Sequence, residues 1–189
     1  IYLNNNVYGA MVDLKADGNI SQSGGTTVSA DELVARAGGS IQLDSADNEL
    51  GTAAAESDGS GYIAIVDADT LTIGSVTAKD GTTVDGIKTA GASGDDIFVQ
   101  VINGDLTIDQ QVNAGVGEVV LETDAGSILI NNAAAVITGD LVDLYSAADI
   151  VEVGGVGTID AKKLIFQAWG DVDLQSVTNL IDKVAGESY

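Results

Sequence analysis

A short phrase returns along this chain at a nearly fixed interval. A glycine or alanine, then a small or polar residue, then Ile, Leu or Val occurs as Gly18-Asn-Ile20, Gly39-Ser-Ile41, Gly104-Asp-Leu106, Gly126-Ser-Ile128, Ala148-Asp-Ile150 and Gly170-Asp-Val172. The last four are 22, 22 and 22 residues apart and the first two are 21 apart. The 65 residues between Gly39 and Gly104 are close to three periods, with a matching start at Asp69-Thr-Leu71-Thr-Ile73. Such a period is the signature of stacked repeats: one unit cannot bury its apolar face alone, but successive units share a continuous core.

Other phrases keep the same register. Val12-Asp-Leu14, Val119-Val-Leu121, Val142-Asp-Leu144 and Leu164-Ile-Phe166 each precede a Gly or Ala step, and Thr27–Leu33 matches Thr158–Leu164 almost position for position. Each unit reads as two or three strands of three to five residues with alternating apolar and polar positions. Gly, Asn and Asp fill the corners. The chain has no proline to interrupt a ladder. Only Ala53–Glu56 and Val177–Val184 tempt a helical turn. The expected fold is all-β: a right-handed parallel β-helix, or β-solenoid, of about 22 residues per coil, its hand following the rule for parallel crossovers. Seven coils at the ~4.8 Å strand spacing give a rod roughly 35 Å long. The alternative, a β-sandwich, requires hairpin signals that are few here. Residues 1–189 are expected to form one solenoid segment.

Two coils read as longer than the period. Ser40 to Asp69 is some eight residues over, with Ser45–Gly61 as the extra segment, and Thr70 to Gly104 is about thirteen over, with Lys79–Asp96 as the extra segment. In the second, Asp85-Gly86 between β-forming residues is a hairpin signal. Loops inserted in a solenoid either form a binding face or are tolerated length variation. The partner-binding candidates on them are Asp47, Asn48, Glu49, Asp85 and Lys88. Asp67, Asp69, Asp95 and Asp96 are weak calcium candidates, since no spaced Asp/Asn/Gly calcium loop is present. Trp169 at a corner suits either packing or stacking on a sugar; Phe98 and Phe166 on strands suit the core. Asn19-Ile-Ser21 fits a glycosylation sequon.

Composition removes several function classes. Lys and Arg number 7 against 29 Asp and Glu, a net charge of −22, which disfavours nucleic acid and anionic membrane surfaces. No apolar run approaches the ~20 residues of a membrane helix. Without His or Cys there is no Ser-His-Asp triad, Cys-His pair, His-ligated zinc or disulfide frame. Carboxylate chemistry of the glycosidase or lyase type remains formally open. None of Arg36, the single arginine, and the six lysines clusters with an acid group that also has a predicted groove. No cofactor is expected, and a non-catalytic role is preferred. Starting at Ile1 with no Met or leader, the chain reads as a mature or excised segment whose ends fall in mid-repeat.

The stretches "GDLTIDQQVNAGVGEVVLETDAGSILI" and "TIDAKKLIFQAWGDVDL" resemble the filamentous-haemagglutinin-like repeat region of bacterial two-partner-secreted adhesins. Recurring Gly-small-Ile/Leu, Val-x-Ala-x-x-Leu and Leu-x-x-x-Gly elements carry the likeness, from about Val12 to Asp182. The resemblance implies a right-handed β-helix, export, an extracellular or cell-surface location and a role in attachment. The partner would be a surface protein or glycan, or other copies of the chain stacked end to end. The sequence departs from the family pattern in lacking a secretion-signal domain at its start and in the two long coils. The alternatives are a self-assembling extracellular filament and a polysaccharide-active β-helix enzyme.

Overall fold

The computed structural model describes all residues from Ile1 to Tyr189. It is an all-β solenoid of about eight parallel turns. Three stacks of inward-facing residues run along it. In the first, Ile20, Ile41, Ile63, Ile97, Val119, Val142 and Leu164 stand rung upon rung. In the second, Val12, Leu33, Ala53, Ile73, Ile108 and Ile130 do so. In the third the residues are Leu14, Ala35, Ala55, Ile87, Val112, Ile137 and Ile159. Nearly all of these side chains are sealed from solvent and belong to a single core cluster of 38 buried residues. With aromatics at 4% of the chain, Ile, Leu, Val and Ala fill this narrow interior at one or two side chains per side and turn.

The connection between sides changes along the rod. In the first turns one long strand, Val7–Ala16, Val28–Ala37 or Glu49–Ser57, supplies the second and third stacks together. In the last turns Val136–Ser146 and Thr158–Ala168 supply the third and first. Each long strand turns a corner at one residue that is left out of the pairing on both neighbouring rungs: Ala10 and Asp31 in one case, Asp140 and Lys162 in the other. The likeness of Thr27–Leu33 to Thr158–Leu164 is therefore local. Both encode a corner with one unpaired residue, but Leu33 stands in the second stack and Leu164 in the first. Likewise the steps at Gly18 and Gly39 lead into first-stack strands, Ile20–Gln22 and Ile41–Leu43. The steps from Gly104 onward lead into second-stack strands such as Leu106–Ile108 and Ile128–Ile130.

This shift corrects one expectation. Ile41 pairs with Ile63, an ordinary spacing of 22, so no residues are inserted in that turn. The apparent excess of eight is the third of a turn between a first-side step and a second-side start. Ser45–Gly61 contains the regular strand Glu49–Ser57. The second excess is real: Ile63 pairs with Ile97 and Leu71 with Leu106. Neither stretch that tempted a helix is one. Ala53–Glu56 lies inside a strand, Val177–Val184 holds the strand Leu180–Ile181, and the sole helical element is the 3-10 turn Val153–Gly155.

Candidate functional site

The inserted residues form an arm on the outside of the rod. Ile73 stacks on Ala53 and Ile87 on Ala55, so residues 74–86 stand opposite the single residue Ala54. Ser75–Thr77 and Thr83–Asp85 pair antiparallel as a two-stranded sheet. The reversal lies at Ala78–Thr82, where Ala78 N–H donates to Thr82 O (2.8 Å), Gly81 takes a left-handed φ of 84°, and Asp80 Oδ1 accepts the Thr82 N–H (3.0 Å). The hairpin anticipated at Asp85-Gly86 thus turns elsewhere. Gly86, at φ 74°, is the arm's exit, and a Cβ there would sit 2.0 Å from Gln111 O.

The arm folds back over earlier turns instead of projecting from the flank. Val76, Ala78 and Val84 pack on Val34 and Ala54, with Met11 beside them, in a small cluster separate from the main core. At the tip, Arg36 Nη1 donates to Asp80 Oδ2 (2.8 Å) and Arg36 Nη2 to Asp13 Oδ1 (3.2 Å). Lys15 Nζ also reaches Asp80 Oδ2 (3.3 Å), and the Lys79 N–H donates to Asp13 Oδ2 (2.8 Å). The Arg36 and Asp13 side chains are each only 10% exposed. Asp80 beside the guanidinium raises the Arg36 pKa, and the same contact holds the Asp80 carboxyl far below the usual carboxylate range. Arg36 does meet acids, but they lie 23 and 44 residues away, and that spacing hid the cluster from a linear reading.

The candidate partner-binding residues do not gather. Asn48 is wholly buried. Its Oδ1 accepts from Gln22 Nε2 (2.7 Å) and Val28 N–H (2.8 Å), while its Nδ2 donates to Gln22 Oε1, Leu43 O and Val66 O. All its capacity is spent holding three turns together. Asp47 is exposed on the corner before it, and Glu49 is exposed and accepts from Ser29 Oγ. Asp85 accepts from Ser75 Oγ within the arm, and Lys88 pairs with Glu56 across adjacent turns. An open groove of about 470 Å³ runs beside the early corner, with carboxylates of Asp31, Glu49 and Asp69 on its walls and no cation among them.

The four calcium candidates are divided between the two ends of the first-side strand Ile63–Asp67. Each buried one accepts backbone N–H groups: Asp67 from Leu50 (2.7 Å) and Asp69 (3.2 Å), Asp95 from Gly61 (2.9 Å) and Ala92 (3.0 Å). Asp96 accepts from Glu118 N–H (2.8 Å), and Asp69 is exposed. No three acids converge as metal ligands. Burial pushes the Asp67 carboxyl up to about 7.

Trp169 is exposed and stacks on Tyr189, centroids 5.1 Å apart. Phe166 packs against the core as expected, whereas Phe98 points outward, half-buried, on the first side. That outer surface also carries Glu122 and Asp143, both raised in pKa mainly by burial. The strand alternation could have flagged them as outward-facing, but only the rung pairing of Val120 with Asp143 and Glu122 with Tyr145 puts them on adjacent rungs. Asn19 of the sequon is exposed, and its Oδ1 accepts the Ser40 N–H (3.0 Å). No family model, curated protein or solved structure matches the chain.

Proposed function

We propose that the chain is a rigid, acidic, non-catalytic segment of an exported bacterial surface fibre that serves attachment. The observation that carries this reading is where the repeated polar residues go. Asn19, Asp105 and Asp149, one from each of three steps, accept the N–H of Ser40, Ser127 and Asp171 in the following turn. Their chemistry is spent on the ladder, which is what a load-bearing rod needs. The net charge of −22 favours solubility of a long assembly. The likeness of the repeat phrases to the filamentous-haemagglutinin-like region supports export and attachment in particular.

Beads coated with the purified chain test this. Retention under flow on immobilised glycans or extracellular-matrix proteins, above that of beads carrying an equally acidic unrelated protein, is the expected result. Equal retention on every surface, or turnover of a glycan panel, would replace the adhesive reading.

A further inference from the structure

The arm at residues 75–85 is joined to the rod unlike any other part of the chain. Its two strands form their own sheet and share no ladder with the 20-stranded one. Beneath it the ladder is already closed: Gly74 N–H donates to Ala53 O (3.2 Å), Ala55 N–H to Gly86 O (2.9 Å) and Gly86 N–H to Gly74 O (2.9 Å). The contacts that hold the arm down are a small apolar cluster, the carboxylate of Asp80 between Arg36 and Lys15, the Lys79 N–H on Asp13 Oδ2 and Gln111 Nε2 on Asp85 O. Breaking them would cost no rung of the solenoid.

We propose that residues 75–85 are a releasable strap, latched by Asp80, which lifts as a unit to uncover the strip formed by Met11, Val34, Ala54 and the Arg36 guanidinium. That strip is chemically unlike the rest of the rod. It joins apolar side chains to the nearly buried Arg36–Asp13 ion pair, with Lys15 at its exposed edge. The covered surface is continuous along three turns, because Asp13, Val34 and Ala54 are rung partners. Gly74 and Gly86 bracket the strap, and both are placed where a side chain would collide with a neighbouring turn.

Met11 reports the motion. It is the chain's only methionine, there is no cysteine, and it packs beside the strap. Met11 is half-buried beside the strap, so dilute peroxide, which converts an accessible thioether to the sulfoxide, should oxidise it slowly while the strap is down and faster once it lifts. Mass spectrometry of the Met11 peptide measures the rate in the full chain, and hydrogen exchange of the Ile41 and Ile63 amides monitors the rod. Asp80→Asn is expected to speed Met11 oxidation about tenfold or more with rod exchange unchanged. In the unaltered chain, oxidation should be nearly independent of urea below the unfolding transition, as for local opening. Two results overturn the proposal: a Met11 rate unmoved by Asp80→Asn, or one that rises with urea in step with rod exchange. Exchange of the Lys79 amide, which Asp13 holds only while the strap is down, decides the matter even if the variant fails to fold: it should outpace the Ile41 and Ile63 amides with little urea dependence, and exchange in step with them overturns the proposal.

Discussion

The carboxylate of Asp149 occupies the space that a side chain on Gly170 would need. Its Oδ1 lies 2.2 Å from where a Cβ on that glycine would stand, and it accepts the Asp171 N–H at 2.7 Å. Asn19 stands in the same relation to Gly39, at 2.2 Å, and Asp105 to Gly126, at 2.7 Å. The step glycine of one turn is small because the Asn or Asp of the turn before is seated against it. Where the earlier turn has Ser127 instead, the next has Ala148.

This pairing predicts coupled substitutions. Gly170→Ala should displace the Asp149 carboxylate and lose its hydrogen bond, costing about 1–2 kcal/mol. Combined with Asp149→Ser, which copies the Ser127 and Ala148 pair, it should cost less than the two single changes summed. Gly126→Ala should be worse than Gly170→Ala, since its Cβ would meet the backbone oxygen of Gly104 at 2.0 Å as well. Urea midpoints of the five proteins measure this, and strict additivity of the double variant would refute the seat.

Asn48→Leu should be among the most damaging single changes. It keeps the branched outline of the amide, adds bulk at a fully buried site, and strips partners from the Val28 N–H, the Leu43 and Val66 carbonyls and the Gln22 amide, all inside the rod. At about 1–3 kcal/mol for each buried group left unsatisfied, a loss of at least about 3 kcal/mol is expected in chemical denaturation. Gln100→Leu, on the outer surface, should change the midpoint little.

The fold was legible because the same contacts recur every turn, so the ladder spacing is written directly as 22 residues. The one-third-turn shift was not. All three sides use inward Ile, Leu, Val or Ala, and a Gly step marks whichever corner the chain happens to turn. Nothing in Gly39-Ser-Ile41 distinguishes a first-side corner from the second-side corner of Gly126-Ser-Ile128. That ambiguity turned a third of a turn into an apparent insertion and made the buried Asn48 look like a loop residue. The arm's existence was readable from length, while its landing place was not, since Arg36 and Asp80 meet only because the hairpin doubles back.

Lys162 and Asp140 make a short ion pair, but both side chains are well exposed, at 63% and 41%. Solvent screening and side-chain entropy leave such pairs worth about 0–1 kcal/mol. Lys162→Gln should therefore move the melting temperature by no more than a degree or two, despite its place at a corner of the rod. A larger loss would mean that the pair helps hold the corner itself.

Asp67 makes stability depend on pH in an unusual sense for a carboxylate. It is fully buried without a cation, and burial raises its pKa from 3.8 to about 7. The neighbouring acids Asp69 and Glu49 add to the rise, while the Leu50 and Asp69 N–H groups oppose it. Between about pH 4 and 7 the folded state keeps a proton that the unfolded chain has released. Stability is therefore highest below that window, falls as pH rises through it and is flat above. At about 1.4 kcal/mol per pKa unit, the loss amounts to a few kcal/mol. Asp67→Asn removes this titration, so its unfolding free energy should approach or exceed that of the original chain at pH 8 and fall below it at pH 4.5. Mutual repulsion among the remaining acids also weakens as pH falls, but it acts on both proteins. The difference between their urea-unfolding free energies at the two pH values isolates Asp67. A difference that does not change between pH 4.5 and 8 would show that the buried carboxyl titrates as it does in the unfolded chain.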